Sequence, residues 1–396
     1  MGMRITTNMM MNSYRFDLMN ATNTLAGSLD KVITQRKFNS YSEDPTTATH
    51  AWRIRRAYAK NESYKINNSD TGARFNIAWE TLGSIKTNLY DANAKAAAVR
   101  GLTDSTASAR QPLGKVLSNT ADSVIQAMNS AKYGDHYVFS GENALNVPFT
   151  WEKKDGKDVL LYRGVDVNAK KVDMPDMVQN PRPDWAPQSA DDYSLPEPGK
   201  MPATSNDPKE QEWIDYYSSD WAKLQALAHE ETNVDLGMGL EEDGTTGELI
   251  DGTAFNMALP GIAMLGYGVD EDGLPYNGVM AMKALGEIFD RCDPKTGEYA
   301  SKEDEANANK LLDRISDVTD YVSNSYSQVD TKKTFLNSNE TRLKSQGDYL
   351  MEEILNLEQI DMADAITSFS WDYYCYNAAL KIGNQLLSQS LIDYMN

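Results

Sequence analysis

Apolar side chains recur at steps of three and four residues in a stretch near the start of the chain. Asn, Thr, Asp and Ser residues lie between them. Steps of this kind are the heptad spacing of a coiled-coil seam, so they predict an amphipathic helix with a narrow apolar face. The stripe comprises Met11, Tyr14, Leu18, Ala21, Leu25, Ser28 and Val32.

The same spacing returns in four later stretches, so most of both chain ends is predicted to be helical. The second stretch begins at Pro45 and is closed by Gly101, and the third runs from Leu113 to Ala131. A long fourth stretch begins near Glu303 and is followed by a last helix. The apolar positions of these two include Leu311, Ile315, Val318, Val322, Leu350, Ile354, Leu357, Ala363, Ile366, Phe369, Tyr373, Tyr376, Leu380, Gly383 and Leu387.

A narrow seam buries little surface, so each helix needs a partner to be stable in water. Helices from the two chain ends can supply this partner for each other, which gives an ordinary intramolecular bundle. Identical copies can also pack against a second apolar face. Ile33, Ile382, Leu386 and Leu391 lie outside the main stripes and suit such a face. The spacing leaves both arrangements open.

The middle of the chain differs from both ends in composition. Prolines cluster between positions 175 and 208, and most of the net charge of −20 lies between 151 and 300. Because proline is tolerated in a helix only in the first turn, loops and strands are predicted there. "DHYVFSG" and "DVLLYRGVDV" combine aromatic and β-branched residues with glycine turns, as strands do.

Together these patterns predict an α+β fold. Long antiparallel coiled-coil helices come from both chain ends, and a β-rich or mixed outer domain is inserted between them. Three parts are predicted: terminal assembly helices over 1–38 and 362–396, a helical body over 39–145 and 300–361, and an acidic, proline-rich insert over 146–299.

Candidate chemistry is sparse. Cys292 and Cys375 cannot form a disulfide framework, and His50, His136 and His229 lie far apart without a partner at ligand spacing. The negative charge argues against a surface for nucleic acid, and no run of about 18 apolar residues predicts a membrane span. No catalytic residue, metal site or cofactor is therefore predicted.

Aromatic residues in the insert allow one alternative of another class. They either line a sugar cleft, which suggests a glycan-binding or hydrolytic module, or form core and loop contacts, which the composition favours. These residues are Trp185, Trp213, Tyr216, Tyr217 and Trp221.

The stretch "NSYSEDPTTA", residues 39–48, is predicted to be a corner between two helices. Asn39 and Ser40 end the first helix, and Asp44 caps the next helix, with Pro45 in its first turn. Ser42 and Glu43 can accept hydrogen bonds from the N–H groups of the turn. The corner separates the first helix from the helical body.

Four motifs at the two chain ends resemble those of the hook–filament junction proteins of bacterial flagella, also called hook-associated protein 3. In chain order these motifs are "MRITTNMM" from Met3, the corner "NSYSEDPTTA", "YGDHYVFSG" followed by "PFTW", and the tail "AALKIGNQLLSQSLIDYMN". Flagellin shares the corner, but Met9, Met10 and the ending Ser390–Tyr394 favour the junction proteins. The resemblance covers roughly residues 3–150 and 300–396, and no motif of the insert matches.

This resemblance implies a structural protein with a flagellin-like fold and no enzymatic activity. Such a protein is exported through the flagellar type III channel without a cleaved signal peptide and sits as a ring between hook and filament. Its expected partners are itself, a neighbouring hook-associated protein, flagellin, and an export chaperone at the C-terminal helix. A flagellin, the filament subunit of the same architecture, is the alternative.

Overall fold

The structure, a computed structural model, describes residues 7–100, 109–154, 156–177, 180–187, 193–241, 244, 249–250 and 252–395. The side chains of residues 7, 8, 100 and 386–395 lie outside this description. Helices hold most of the described residues, as the apolar spacing predicted. They are α1 (Thr7–Thr34), α2 (Pro45–Arg100), α3 (Arg110–Ser130), α4 (Pro208–Ser218), α5 (Asp220–Ala228), α6 (Gly261–Leu265), α7 (Gly278–Asp290), α8 (Lys302–Glu358) and α9 (Met362–Met395).

Short strands form three small antiparallel sheets. They are β1 (Lys132–Tyr133), β2 (His136–Tyr137), β3 (Phe149–Lys154), β4 (Lys157–Tyr162), β5 (Val165–Asp166), β6 (Asn233–Val234) and β7 (Phe255–Asn256). β1 pairs with β2, β6 pairs with β7, and β4 lies between β3 and β5. The region between 146 and 299 is therefore mixed, with short helices as well as strands.

Two compact units divide the chain, the first formed by residues 1–63 and 342–396 and the second by residues 64–341. Both α2 and α8 contribute residues to each unit. The division into terminal helices, helical body and insert stays a prediction, and Gly101, the predicted end of α2, lies outside the described residues.

In the first unit, α1 packs along α9 and ends at Thr34, before the predicted end at Asn39. Gln35 has a φ of 59°, in the left-handed region, and the chain then leaves the helix. The following backbone pairs with the end of α8: the Lys37 N–H donates to the Glu358 carbonyl at 2.8 Å, and Ile360 donates to Gln35 at 3.1 Å. The predicted helix end was wrong because this pairing partner is more than 300 residues away in sequence.

The second unit contains the main hydrophobic core. The predicted stripe of α2 is buried from Phe75 to Ala96, and so are Leu311, Ile315, Val318 and Val322 of α8. α3 packs against α7, where Gly114 and Gly286 let the two backbones approach closely. The spacing of three and four residues therefore located the core face of both long helices correctly.

The aromatic residues of the insert form a small core of their own in the second unit. Trp213 is fully buried, and Tyr216 and Tyr217 are each 4% exposed. The rings of Trp213 and Tyr217 stack with centroids 6.0 Å apart, and Trp185 and Trp221 pack against this cluster. The hypothesis that these residues line a sugar cleft is therefore wrong, because their faces are covered by one another.

Candidate assembly surface

The seam between α1 and α9 follows the predicted stripe of α1. Leu18, Leu25 and Val32 are half-buried, and Ser28, at the weak point of the stripe, is 9% exposed. Met11 remains 42% exposed. The α1 stripe from Tyr14 to Val32 therefore faces α9 in the first unit.

The predicted stripe of α9 divides between two surfaces. Phe369, Tyr376 and Gly383 turn towards α1, as does Ala365, which the spacing did not select. The remaining predicted positions point outwards: Ile366 is 49% exposed, Tyr373 54% and Leu380 40%. Apolar residues occur on several sides of α9, so spacing alone could not decide which stripe meets α1. The available signal was the recurrence of Ala365, Phe369, Tyr376 and Gly383 at steps of four and seven residues, which places them on one face.

Three more predicted positions lie on the part of α8 that belongs to the first unit. Leu350 and Ile354 are buried and Leu357 is half-buried, so the predicted face of α8 is covered within one chain. The side chains of Leu387, predicted for the stripe of α9, and of Leu386 and Leu391, predicted for a second apolar face, lie outside the described residues.

Large apolar side chains also stand in solvent on the outer sides of α1 and α9. At 100° per residue they point in several directions around both helices. An apolar residue on every side is typical of a helix buried in a larger body and unusual for a surface helix. Those exposed by 40% or more are Met9, Met10, Met11, Phe16, Met19, Leu29, Ile33, Ile366, Trp371, Tyr373, Tyr374, Leu380 and Ile382.

The corner at residues 39–48 is held by hydrogen bonds of its own polar side chains. The Asp44 carboxylate accepts from the Thr47 N–H at 3.0 Å, and α2 begins at Pro45, as predicted. Hydrogen bonds from Thr47 lower the pKa of the Asp44 carboxyl below its ordinary value. The Ser42 hydroxyl bonds to that of Ser40, while Glu43 accepts from the Asn39 N–H at 3.2 Å.

The corner is also tied to α1. The Asn39 side-chain amide donates to the Asp30 carboxylate at 2.6 Å. Further along α2, the Arg55 guanidinium binds both carboxylate oxygens of Glu358, and this hydrogen bond raises the pKa of Arg55. Arg55 is about half exposed, so solvent screens this ion pair and the pair adds little to the stability of the fold. Its main effect is to orient α2 against α8 in the first unit.

Comparisons with known proteins reveal a similar fold. No protein-family model matches the sequence, and no curated protein matches it significantly. A solved structure described as a "putative flagellar hook-associated protein" from Vibrio parahaemolyticus matches 80% of this chain and 100% of its own, with a TM-score of 0.50 and 13% sequence identity. The chain shares that fold. A mostly helical chain with small sheets is thus compatible with the fold of a flagellar hook-associated protein.

A cavity of about 1180 Å³ in the second unit bears on a catalytic alternative. Three of its charged lining groups, Arg163, Glu230 and Lys332, have structural partners. Arg163 Nη1 contacts both carboxylate oxygens of Glu230 at 2.6 Å, and Lys332 Nζ donates to the Asn256 carbonyl at 3.0 Å. His229, one of the three histidines, stacks on Tyr193 at the cavity wall. The Lys332 contact holds β7 against α8, and the other two contacts join segments outside α8 to one another.

Within the described ranges, no group of three or more His, Cys, Asp or Glu side chains is placed to hold a metal ion. None of the helices in the described part of the chain is long and apolar enough to cross a lipid bilayer.

Proposed function

We propose that the protein is a structural subunit of the bacterial flagellum that forms the junction between hook and filament. In this proposal, α1 and α9 of each copy pack against the same helices of neighbouring copies to form a ring. The observation that carries it is the exposure of large apolar side chains on several sides of the α1–α9 pair. The shared fold with a flagellar hook-associated protein supports it.

The energetics favour assembly over an isolated pair. Burying a side chain such as Phe16 or Ile33 contributes about 1.5–3 kcal/mol, and many such residues lie on these two helices. Within one chain α1 and α9 bury only a narrow seam, which holds a helix pair weakly. Assembly therefore supplies most of the burial that these helices need.

The proposal includes a location and partners. The protein acts outside the cell and leaves it through the flagellar export channel. It contacts copies of itself, a neighbouring hook-associated protein and flagellin, and an export chaperone holds α9 before secretion. It binds no nucleic acid, inserts in no membrane, needs no cofactor and catalyses no reaction.

A charge on the outer apolar face of α9 tests the assembly step. Leu380→Asp places a carboxylate on a surface that must become dry, so we expect hooks without attached filaments, with flagellin shed to the medium. The second unit should keep its fold, as measured by circular dichroism of the purified variant.

Ser338→Asp is the matched control, because Ser338 is exposed on the part of α8 that belongs to the second unit, outside the α1–α9 pair, and the change adds the same charge. Normal filament attachment is expected for this variant. Normal motility with Leu380→Asp would contradict the assignment of that face. Growth of long filaments by this protein alone would instead identify a filament subunit.

A further inference from the structure

The residues buried between α2 and α8 in the second unit are polar at one level and mostly apolar elsewhere. From Phe75 onwards the buried positions on α2 are apolar, but one layer of the seam between the two helices is polar. Asn68 is 2% exposed and Asn339, facing it from α8, is 4% exposed. A buried amide pair lowers the stability of a seam unless each group finds a partner, so the bonds of this layer decide its behaviour.

The polar layer is completed by a third segment of the chain. The Asn339 side-chain N–H group donates to Asn68 Oδ1 at 2.9 Å and to the backbone carbonyl of Leu236 at 3.2 Å. Asn68 in turn donates to the backbone carbonyl of Leu336 at 3.1 Å. Leu236 belongs to neither helix, so one acceptor of the layer comes from outside the helix pair.

Residues 235–237 pack across α2 through further contacts. The Asn67 side chain donates to the Asp235 carbonyl at 3.0 Å, and the Leu236 side chain is fully buried. Gly237 has a φ of 76°, and a Cβ at this position would lie only 2.5 Å from the ring of Tyr64. Gly237 therefore lets the chain pass close to Tyr64, which a residue with a side chain would prevent.

Release of this segment changes the polar layer but not the apolar layers beside it. If Leu236 leaves, the Asn339 amide loses one of its two acceptors and keeps the bond to Asn68 Oδ1. Loss of one bond from a buried amide favours entry of water in its place. From Phe75 onwards the buried positions of α2 are apolar. The buried Thr319 hydroxyl of α8 donates to the Ile315 carbonyl of its own helix, so this bond does not depend on residues 235–237. Docking of 235–237 and closure of the polar layer are therefore physically linked.

We propose that residues 235–237 are a conformational latch of the helix pair. Docked, the latch closes the polar layer between α2 and α8. Released, it lets this layer open and take up water while the apolar layers stay packed. The latch acts within a single chain, so this inference stands apart from the proposed assembly function.

A cycle of variants of the full-length chain tests the latch. Gly237→Val releases it, because valine disfavours positive φ and overlaps Tyr64. Asn68→Leu with Asn339→Leu makes the layer apolar, which removes the need for an acceptor. The measurement is hydrogen–deuterium exchange of the monomer, followed in peptides covering residues 64–72, 233–239 and 333–343.

In the native background, Gly237→Val should raise exchange in both helical peptides by about tenfold or more. In the double-leucine background it should raise exchange only in residues 233–239. The latch proposal is wrong if Gly237→Val raises exchange in the two helical peptides equally in both backgrounds, or if it raises exchange there in neither background. Asn67→Ala, a milder release, should give the same pattern with a smaller change if Gly237→Val fails to fold.

Gly239→Val is the matched control. Gly239 also has a positive φ, of 86°, but open space surrounds it. This variant strains the backbone two residues away without touching Tyr64. It should leave exchange in the helical peptides close to the native rate, and a rise equal to that of Gly237→Val would show strain alone to be the cause.

Discussion

The phenol ring of Tyr14 in α1 lies directly over Gly383 in α9, in the space that a Cβ at position 383 would occupy. Any side chain there would overlap the ring. α1 and α9 therefore approach closely at a point where α9 has no side chain, and this contact limits how tightly the pair can pack there.

Replacement of Gly383 by alanine should loosen the pair. Overpacking of a fitted contact costs about 1–3 kcal/mol, and the better helix propensity of alanine offsets at most about 1 kcal/mol of this. Faster amide exchange in α1 and α9 is the expected result.

Gly27→Ala provides the control, because an added Cβ at this α1 position meets nothing within 4 Å. This substitution should slow exchange in α1. If Gly383→Ala slows exchange to the same extent, Tyr14 does not limit the approach of the helices.

The crossing of α3 and α7 is predicted to be sensitive to a single methyl group. A Cβ at Gly114 would lie 2.9 Å from the Gly286 carbonyl oxygen, and backbone atoms cannot turn aside as side chains do. Gly114→Ala should destabilise the second unit by about 1–3 kcal/mol and lower its Tm by several degrees.

Gly72→Ala, in α2 of the same unit, is the comparison, since nothing lies within 4 Å of its added Cβ. Its Tm should stay the same or rise. Equal Tm values for the two variants would show that the α3–α7 contact is not tight.

Acid should weaken the attachment of the loop at residues 268–276 to α8. Burial raises the pKa of Asp270, but hydrogen bonds from the Leu274 N–H and from Arg314 outweigh it and leave the pKa below its ordinary value. A carboxyl whose pKa is lower in the folded state stabilises the fold above its unfolded pKa of about 3.9. This contribution disappears as the pH falls from there through the folded pKa.

Asp270→Asn should therefore destabilise the protein by about 2 kcal/mol at neutral pH and much less near pH 2.5, as measured by urea unfolding. Asp272→Asn tests the specificity of this effect, because the pair of Asp272 with Lys310 is solvent-exposed. Little change is expected for it at either pH. If the free energy of unfolding of the native protein exceeds that of Asp270→Asn by the same amount at both pH values, the linkage to Asp270 is refuted.

The start of α7 depends on the side chain of Asn277, which is fully buried. Its Oδ1 accepts from the N–H groups of Val279 and Met280 at 3.1 and 3.2 Å, and its Nδ2 donates to the Gly266 carbonyl at 2.7 Å. Asn277→Ala removes the cap and leaves the carbonyl of the half-buried Gly266 without this donor. We expect a loss of about 2–3 kcal/mol in thermal unfolding.

Asp207, the cap of α4, serves as the reference position because its bond to the Lys209 N–H is exposed. Asp207→Ala should cost less than Asn277→Ala. The reverse order would show that the bond to Gly266 contributes nothing.

Local patterns determined much of this protein. The step of three and four residues located α1, α2, α3, α8 and α9, and the Asp44–Pro45 pair located the start of α2, because both signals act within one or two helical turns. The same steps selected the buried face of α2 from Phe75 to Ala96, since that helix has one apolar stripe. The glycine and aromatic runs indicated β4 and β5 for the same local reason.

Only the tertiary structure decided which partner each face has. α9 carries apolar residues on several sides, so its spacing could not show that Ala365 and Gly383 face α1 while Leu380 stays in solvent. The end of α1 at Thr34 and the contact of Leu236 with Asn339 join residues far apart in sequence. Periodicity specifies that a helix has a face to bury, but the surface that covers it depends on packing between distant segments.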